Sequence, residues 1–403
     1  MPDAFSREVG DLGTWIDQLP FVDHHCHAPL RPERIEGDGQ AELRSTFTES
    51  TDPVTQQRDV PDTLVYRTMI RELARLLGSD ATEAAVLAAR QMTEPAAYHS
   101  QLAKDAGLEA SYDDYLFSQA DCYPPADWAK LTGLPVRPIL RIETQAEQLL
   151  TSGVGDWTSF RKAFTDALDA SVKSGAIAFK SIAAYRSGLA LDQPDDSAVA
   201  AALDEAKRSV EQGEHFRLSA LPLVAGLVWA TFEYAAAASK PMPVQFHVGL
   251  GDDDVYLPSS NPALMRPLFR EPRFHDVPVV LLHNYPYVRD AAYLANIYSN
   301  VYLDLGLTLP LAGYDAVPLI RQALGLAPVT KILASSDGHA MPEFQWFAIH
   351  HWRRALTEVL NGAISDGWVD GTNEAVEIAK GVLAGNAQRI YTAQPPAAAK
   401  PAG

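Results

Sequence analysis

The chain has almost no cysteine. Two residues in 403, Cys26 and Cys122, cannot build a disulfide framework, so the fold must rest on its own core and a reducing, cytoplasmic setting is expected. Long hydrophobic runs are missing too. The longest uncharged stretch, Leu218 to Phe232, contains Pro222 and Gly226 and falls short of the ~20 apolar residues that span a bilayer. The start, Met1-Pro2-Asp3-Ala4-Phe5-Ser6-Arg7-Glu8, has no basic segment leading into an apolar one and does not read as a secretory leader. Positive charge is scarce: 33 Lys and Arg stand against 51 Asp and Glu, a net −18. Such a surface repels phosphate backbones and anionic headgroups, which disfavours nucleic acid and membranes as partners. A small-molecule substrate is left, with self-association into a homo-oligomer open.

What is present is an ordinary globular composition, 47% apolar and 21% charged, enough for a large core. Short apolar runs recur between helical patterns: Phe21–Asp23, Val136–Ile142, Ala176–Phe179, Pro243–Phe246, Val277–Leu282, Val301–Leu305 and Lys331–Ala334. Strands buried on both faces read as continuous apolar runs, and strands alternating with helices imply a parallel sheet. An eighth run falls near Ala110–Phe117, where Tyr112-Asp113-Asp114-Tyr115 dilutes the apolar character. The expected fold is α/β, a (β/α)8 TIM barrel spanning 21–392, with a doubly wound sheet as the alternative. Residues 1–20 read as an N-terminal helical segment and about 30–106 as a helical cap inserted after the first strand. The Pro/Ala-rich stretch 393–403 reads as a flexible tail.

The chemistry gathers at strand ends. His24-His25-Cys26-His27 follows the first run. Residues two apart on a strand share a face, so His25 and His27 converge as a pair of metal ligands while Cys26 turns away. His247 and His283 end later runs, and Asp337 follows Lys331–Ala334 after two serines. Barrel active sites form at that end of the strands. Lys180 ends the fourth-strand run, and two readings stand: a buried lysine paired with Glu143, or a group at the metal or substrate, carbamylated or not. Arg186, preceded by Tyr185, suits a clamp for a substrate carboxylate, or a plain loop salt bridge. The turn Gly249-Leu250-Gly251-Asp252-Asp253-Asp254 orders a binding loop or is a solvated acidic turn.

His25-x-His27, Lys180, His247, His283 and Asp337, in that order, resemble the amidohydrolase superfamily. Phe179–Leu189, Gln245–Asp252, Leu281–Tyr287 and Ile332–Gly338 are similar to its branch related to the N-terminal half of nodulin/glutamine-synthetase-like proteins. The resemblance implies one divalent metal, Zn²⁺ first with Mn²⁺, Fe²⁺ and Cu²⁺ also compatible, held by His25, His27, His247 and Asp337. It implies that His283 binds a second metal or polarises the substrate carbonyl, and that Asp337 takes the proton of a metal-activated water. It further implies hydrolysis of a C–N bond in a γ-glutamyl amide or similar acidic amino-acid amide, with Arg186, Tyr185, Glu143 and Asp252 toward the substrate. Nonoxidative decarboxylation on the same scaffold is the alternative. A noncatalytic barrel is disfavoured, because every ligand is present.

Overall fold

The structure, a computed structural model, describes residues 11–153, 155–213 and 216–391. Among the described residues, seven strands form one parallel sheet in chain order: β1 (Phe21–Cys26), β2 (Leu108–Asp114), β3 (Val136–Arg141), β4 (Ala178–Ser181), β5 (Val244–Val248), β6 (Val279–His283) and β7 (Val301–Leu303). Four of them, β1, β4, β5 and β6, are short Val-, Leu- or Phe-bearing runs buried on both faces, as a sheet covered by crossover helices requires. Val22, Tyr112, Ile139, Ala178, Val280 and Leu282 join Leu333 and Tyr391 in one apolar cluster. Val22 of β1 meets Val280 and Leu282 of β6 there, with Tyr302 of β7 packed against them, so the sheet curls around the cluster.

The edges approach through an irregular segment. Leu333 N donates to Leu303 O at 2.9 Å, Asp337 N to His25 O at 3.1 Å and His27 N to Gly338 O at 2.6 Å. The run 331–334 was expected as a regular strand. It is instead a 3₁₀ turn at Val329–Lys331 and an extended stretch with a single bridge, Leu303 to Ile332. The ladder stops because Asp23 captures the next donors: its carboxylate accepts from Ser336 N at 2.9 Å and from the Ser336 hydroxyl. In contrast, the diluted run near 110–117 is a full strand. Its acidic residues are affordable because Asp113 accepts from Ala28 N at 3.1 Å and Asp114 is forked by Arg141.

Between β1 and β2 the chain forms helices at Gln40–Ser45, Leu64–Leu77, Glu83–Gln91 and Pro95–Asp105. Leu64–Leu77 starts where the Thr63 hydroxyl accepts from Tyr66 N at 3.2 Å and ends at Gly78, φ 66°. It buries Val65, Met69, Ile70 and Leu73, an i, i+4 stripe. A short helix at Leu12–Asp17 precedes β1; residues 1–10 and the expected tail at 393–403 lie outside the described residues. Among the described residues no helix is long and apolar enough to cross a membrane.

Candidate active site

The parallel register puts the C-terminal ends of the strands at one level, and the polar residues there converge. Val248 on β5 pairs with His283 on β6, and the His247 and His283 rings lie 4.6 Å apart. Asp337 Oδ1 lies 3.0 Å from His25 Nε2 and 3.4 Å from His27 Nε2, with Oδ2 3.9 Å from His283 Nε2. Lys180 Nζ is 3.1 Å from His25 Nε2. His283, Asn284 and Asp337 take left-handed φ of 68°, 66° and 53°. Such backbone costs of order 1–3 kcal/mol per residue and clusters where side chains must be aimed for function. Gly249, φ 75°, has no alternative, because a Cβ there would sit 2.0 Å from Tyr285 O.

The outer hydrogen bonds decide which imidazole nitrogen carries the proton. His27 Nδ1 donates to Asp114 O at 3.3 Å, so its Nε2 turns a lone pair toward the Asp337 carboxylate. His247 Nε2 donates to Leu250 O at 2.8 Å, leaving Nδ1 as its free lone pair. His283 is the opposite case. Its Nδ1 accepts from Leu307 N at 3.2 Å, so its Nε2 carries the hydrogen and is a donor. Burial holds His25 at about 3 and His283 at about 4, with His247 also well below the usual imidazole range. Burial opposes ionisation of Asp337, but His283 first and then the adjacent His25 and His27 outweigh it and hold the carboxyl well below its usual range. A carboxylate facing imidazole lone pairs leaves acceptor opposite acceptor, and Asp337 Oδ1 has no hydrogen-bond partner. Two sets of side chains lie close enough to hold a divalent cation there, His25 with His27 and Asp114, and His25 with His283 and Asp337; among the described residues His247, expected as a ligand, falls in neither set.

A second network holds this cluster from below. Asp304 Oδ1 accepts from His283 N at 2.7 Å, and its Oδ2 lies 3.0 Å from His24 Nε2. His24 Nδ1 is 3.2 Å from the Tyr391 hydroxyl, which also accepts from Gln245 Nε2 at 2.7 Å. Sequence spacing did not single out Asp304, Asp114 or Arg141. Asp114 and Arg141 form a buried pair with Nη2 to Oδ2 at 2.6 Å. The Tyr112–Tyr115 stretch was legible only as a weak strand.

Above the cluster lies a cavity of about 440 Å³, lined by His27, Lys180, Tyr185, Arg186, His247, Asp252, His283 and Asp337 among others. Burial lowers Lys180 to about 8, against the opposing pull of Asp114 and Asp337. Glu143 is not in this lining, and two expectations for it fail. It stands in the first turn of helix Ile142–Thr151 and accepts from the Ser181 hydroxyl at 2.6 Å and from Ile182 N at 3.1 Å. Both oxygens are therefore used to fix the end of β4, and neither substrate nor Lys180 has a claim on them. Cys26 turns away as expected, its thiol donating to Tyr112 O at 3.5 Å. His339 lines the cavity with Nδ1 3.0 Å from Asp337 O.

Residues 151–392 match the amidohydrolase family model. The chain is also 31% identical to protein fluG of Emericella nidulans, across 98% of this chain and 48% of that one. It belongs to the amidohydrolase family. This amidohydrolase spans about half the length of that curated relative. A solved structure from Lactobacillus casei ATCC 334, provisionally named a metal-dependent hydrolase, is 29% identical with a TM-score of 0.84, covering 94% of this chain and 97% of that one. Uronate isomerase from Thermotoga maritima shares the fold alone, at 14% identity and TM-score 0.62 over 96% of this amidohydrolase and 100% of that chain.

Proposed function

We propose that this amidohydrolase hydrolyses the C–N bond of an acidic amino-acid amide, a γ-glutamyl amide, with one divalent ion held by His25, His27, His247 and Asp337. Zn²⁺ suits that nitrogen-rich donor set best. The observation that supports the reading is the pairing, in one cavity, of the His25, His27 and Asp337 acceptors with unbonded donors on the Arg186 guanidinium. The Arg186 side chain is 9% exposed, yet its Nε and Nη1 make no hydrogen bond; Glu147 Oε1 lies 3.2 Å from Nη1 outside hydrogen-bonding geometry. A buried fork with unmet donors suits a carboxylate.

A bound divalent ion supplies Lewis acidity, which lowers the pKa of a water toward ~7. The chain's own groups do the rest. Asp337, held as a carboxylate, accepts the proton of the attacking water and returns it to the leaving amine. His283 points its Nε2 hydrogen at the carbonyl oxygen, where negative charge develops. This role excludes His283 as a ligand while Leu307 N bonds its Nδ1, and so favours one ion over two. Lys180 remains close to the chemistry through His25. Metal analysis beside a panel of γ-glutamyl amides tests the proposal: one equivalent of metal and amine release support it. Carbon dioxide release from a carboxylic acid, with no amide cleaved, would establish the decarboxylase instead.

A further inference from the structure

The cavity wall carries two acidic groups that the proposed chemistry does not use. Glu49 belongs to the segment between helix Gln40–Ser45 and Leu64–Leu77, and Asp252 to the turn after β5; both line the cavity that holds Arg186. The two segments are joined where the Thr51 hydroxyl donates to Asp253 Oδ1 at 3.4 Å. Glu49 is half-buried and makes no hydrogen bond or ion pair among the described residues. Burial, then Asp337 and Asp252, push it up to about 8. Asp252 is raised as well, by burial first, while its Oδ1 accepts from Asp254 N at 3.0 Å. Tyr185 ties this acidic edge to the cationic one. It precedes Arg186 in the chain, and Glu49 and Asp252 are the charges that weigh most on its hydroxyl. Gly251 lets the turn close on that hydroxyl, since a Cβ there would lie 2.4 Å from it.

Glu49, without a partner beside Asp252, calls for a cation, and the neighbouring Arg186, whose Nε and Nη1 make no hydrogen bond although Glu147 Oε1 lies 3.2 Å from Nη1, keeps donors open to an anion. The other arginines of the wall are committed: Arg141 to Asp114, Arg217 to Asp254. We propose that Glu49 and Asp252 bind an ammonium beside the carboxylate held by Arg186, so that the pocket selects a zwitterionic α-amino-acid head. In such a head the two charges sit on one carbon, which matches an acidic and a basic edge meeting at Tyr185–Arg186. The inference rests on the cavity being the substrate pocket of the proposed hydrolase, and makes the inserted segment part of the specificity machinery.

Calorimetric titration of the metal-loaded protein with L-glutamate and with glutarate, which lacks only the ammonium, reads the subsite without turnover. The wild type should prefer L-glutamate by about tenfold or more, the size expected of a charge-assisted hydrogen bond. Glu49→Gln and Asp252→Asn should each shrink that preference while leaving glutarate affinity within about twofold; melting curves establish that both variants fold. Equal affinity in the wild type, an unchanged preference in both variants, or no binding of either ligand at millimolar concentration overturns the subsite. The two proposals fail separately. A preference that depends on Glu49 without amide hydrolysis leaves the subsite and removes the reaction. Hydrolysis of γ-glutamyl amides with the preference intact in both variants does the reverse.

Discussion

Lowering the pH from 8 to 5 should leave His25, His247 and His283 uncharged, and the expected size of the effect follows from their burial. An unperturbed imidazole near 6.5 is only ~3% neutral at pH 5, so each such ligand would concede a factor of ~30 in metal affinity to protons. His25 at about 3 and His283 at about 4 stay neutral there. The sign for folding is the opposite one. A depressed folded pKa means that the unfolded chain takes up the proton first, so stability is full above ~6.5 and falls as pH drops toward 3–4. Each of the two imidazoles then costs the metal-free protein about 2 kcal/mol at pH 5. Long-range ¹⁵N spectra of the imidazoles in the metal-free chain measure this directly. At pH 5 His25 should show essentially no protonation and His283 no more than about a tenth. The same spectra should show the Nδ1–H tautomer for His27 and the Nε2–H tautomer for His247 and His283. A His25 or His283 resonance titrating between 6 and 7, or His283 as the Nδ1–H form, would refute the assignment of ligands and donor.

Asp337→Asn should fold and lower turnover by at least ~10²-fold, because an amide cannot take the proton of water; near-normal kcat would remove Asp337 from that role. Arg186→Ala should weaken acidic substrates by about 2–5 kcal/mol while sparing neutral amides, with Arg186→Lys recovering only part because it lacks the fork. Lys180→Ala should reduce kcat more than it lowers Tm. A carbamate on Lys180 between two ions about 3.5–4 Å apart in a metal-loaded crystal would instead overturn the one-ion centre. Arg353→Met is a structural control: it strips donors from Ile16 O, at 2.6 Å, and Ala106 O, at 2.9 Å. That should cost about 1–3 kcal/mol of stability and leave kcat of the folded protein unchanged.

The strand ends were legible because a buried parallel strand writes itself as an unbroken apolar run, and the residue that ends it is by geometry near the catalytic face. His25, His27, Lys180, His247, His283 and Asp337 could thus be placed together from spacing alone. The alternation of a strand also sent Cys26 to the other side. What the chain order cannot carry is the partner of a polar atom, since that partner sits tens or hundreds of residues away. Glu143 read as free for Lys180 or substrate until Ser181 and Ile182 took both its oxygens. The strand expected at 331–334 reduced to one bridge because Asp23, more than 300 residues earlier, captured Ser336. The role of His283 turned on Leu307 N and that of His27 on Asp114 O, contacts that no local pattern records. Glu49 was invisible for the same reason: it lies in an insertion with no strand end to mark it, and only the fold over the sheet brings it to the cavity. Local sequence determined which residues face the catalytic end; tertiary hydrogen bonding decided which of their atoms are free to react.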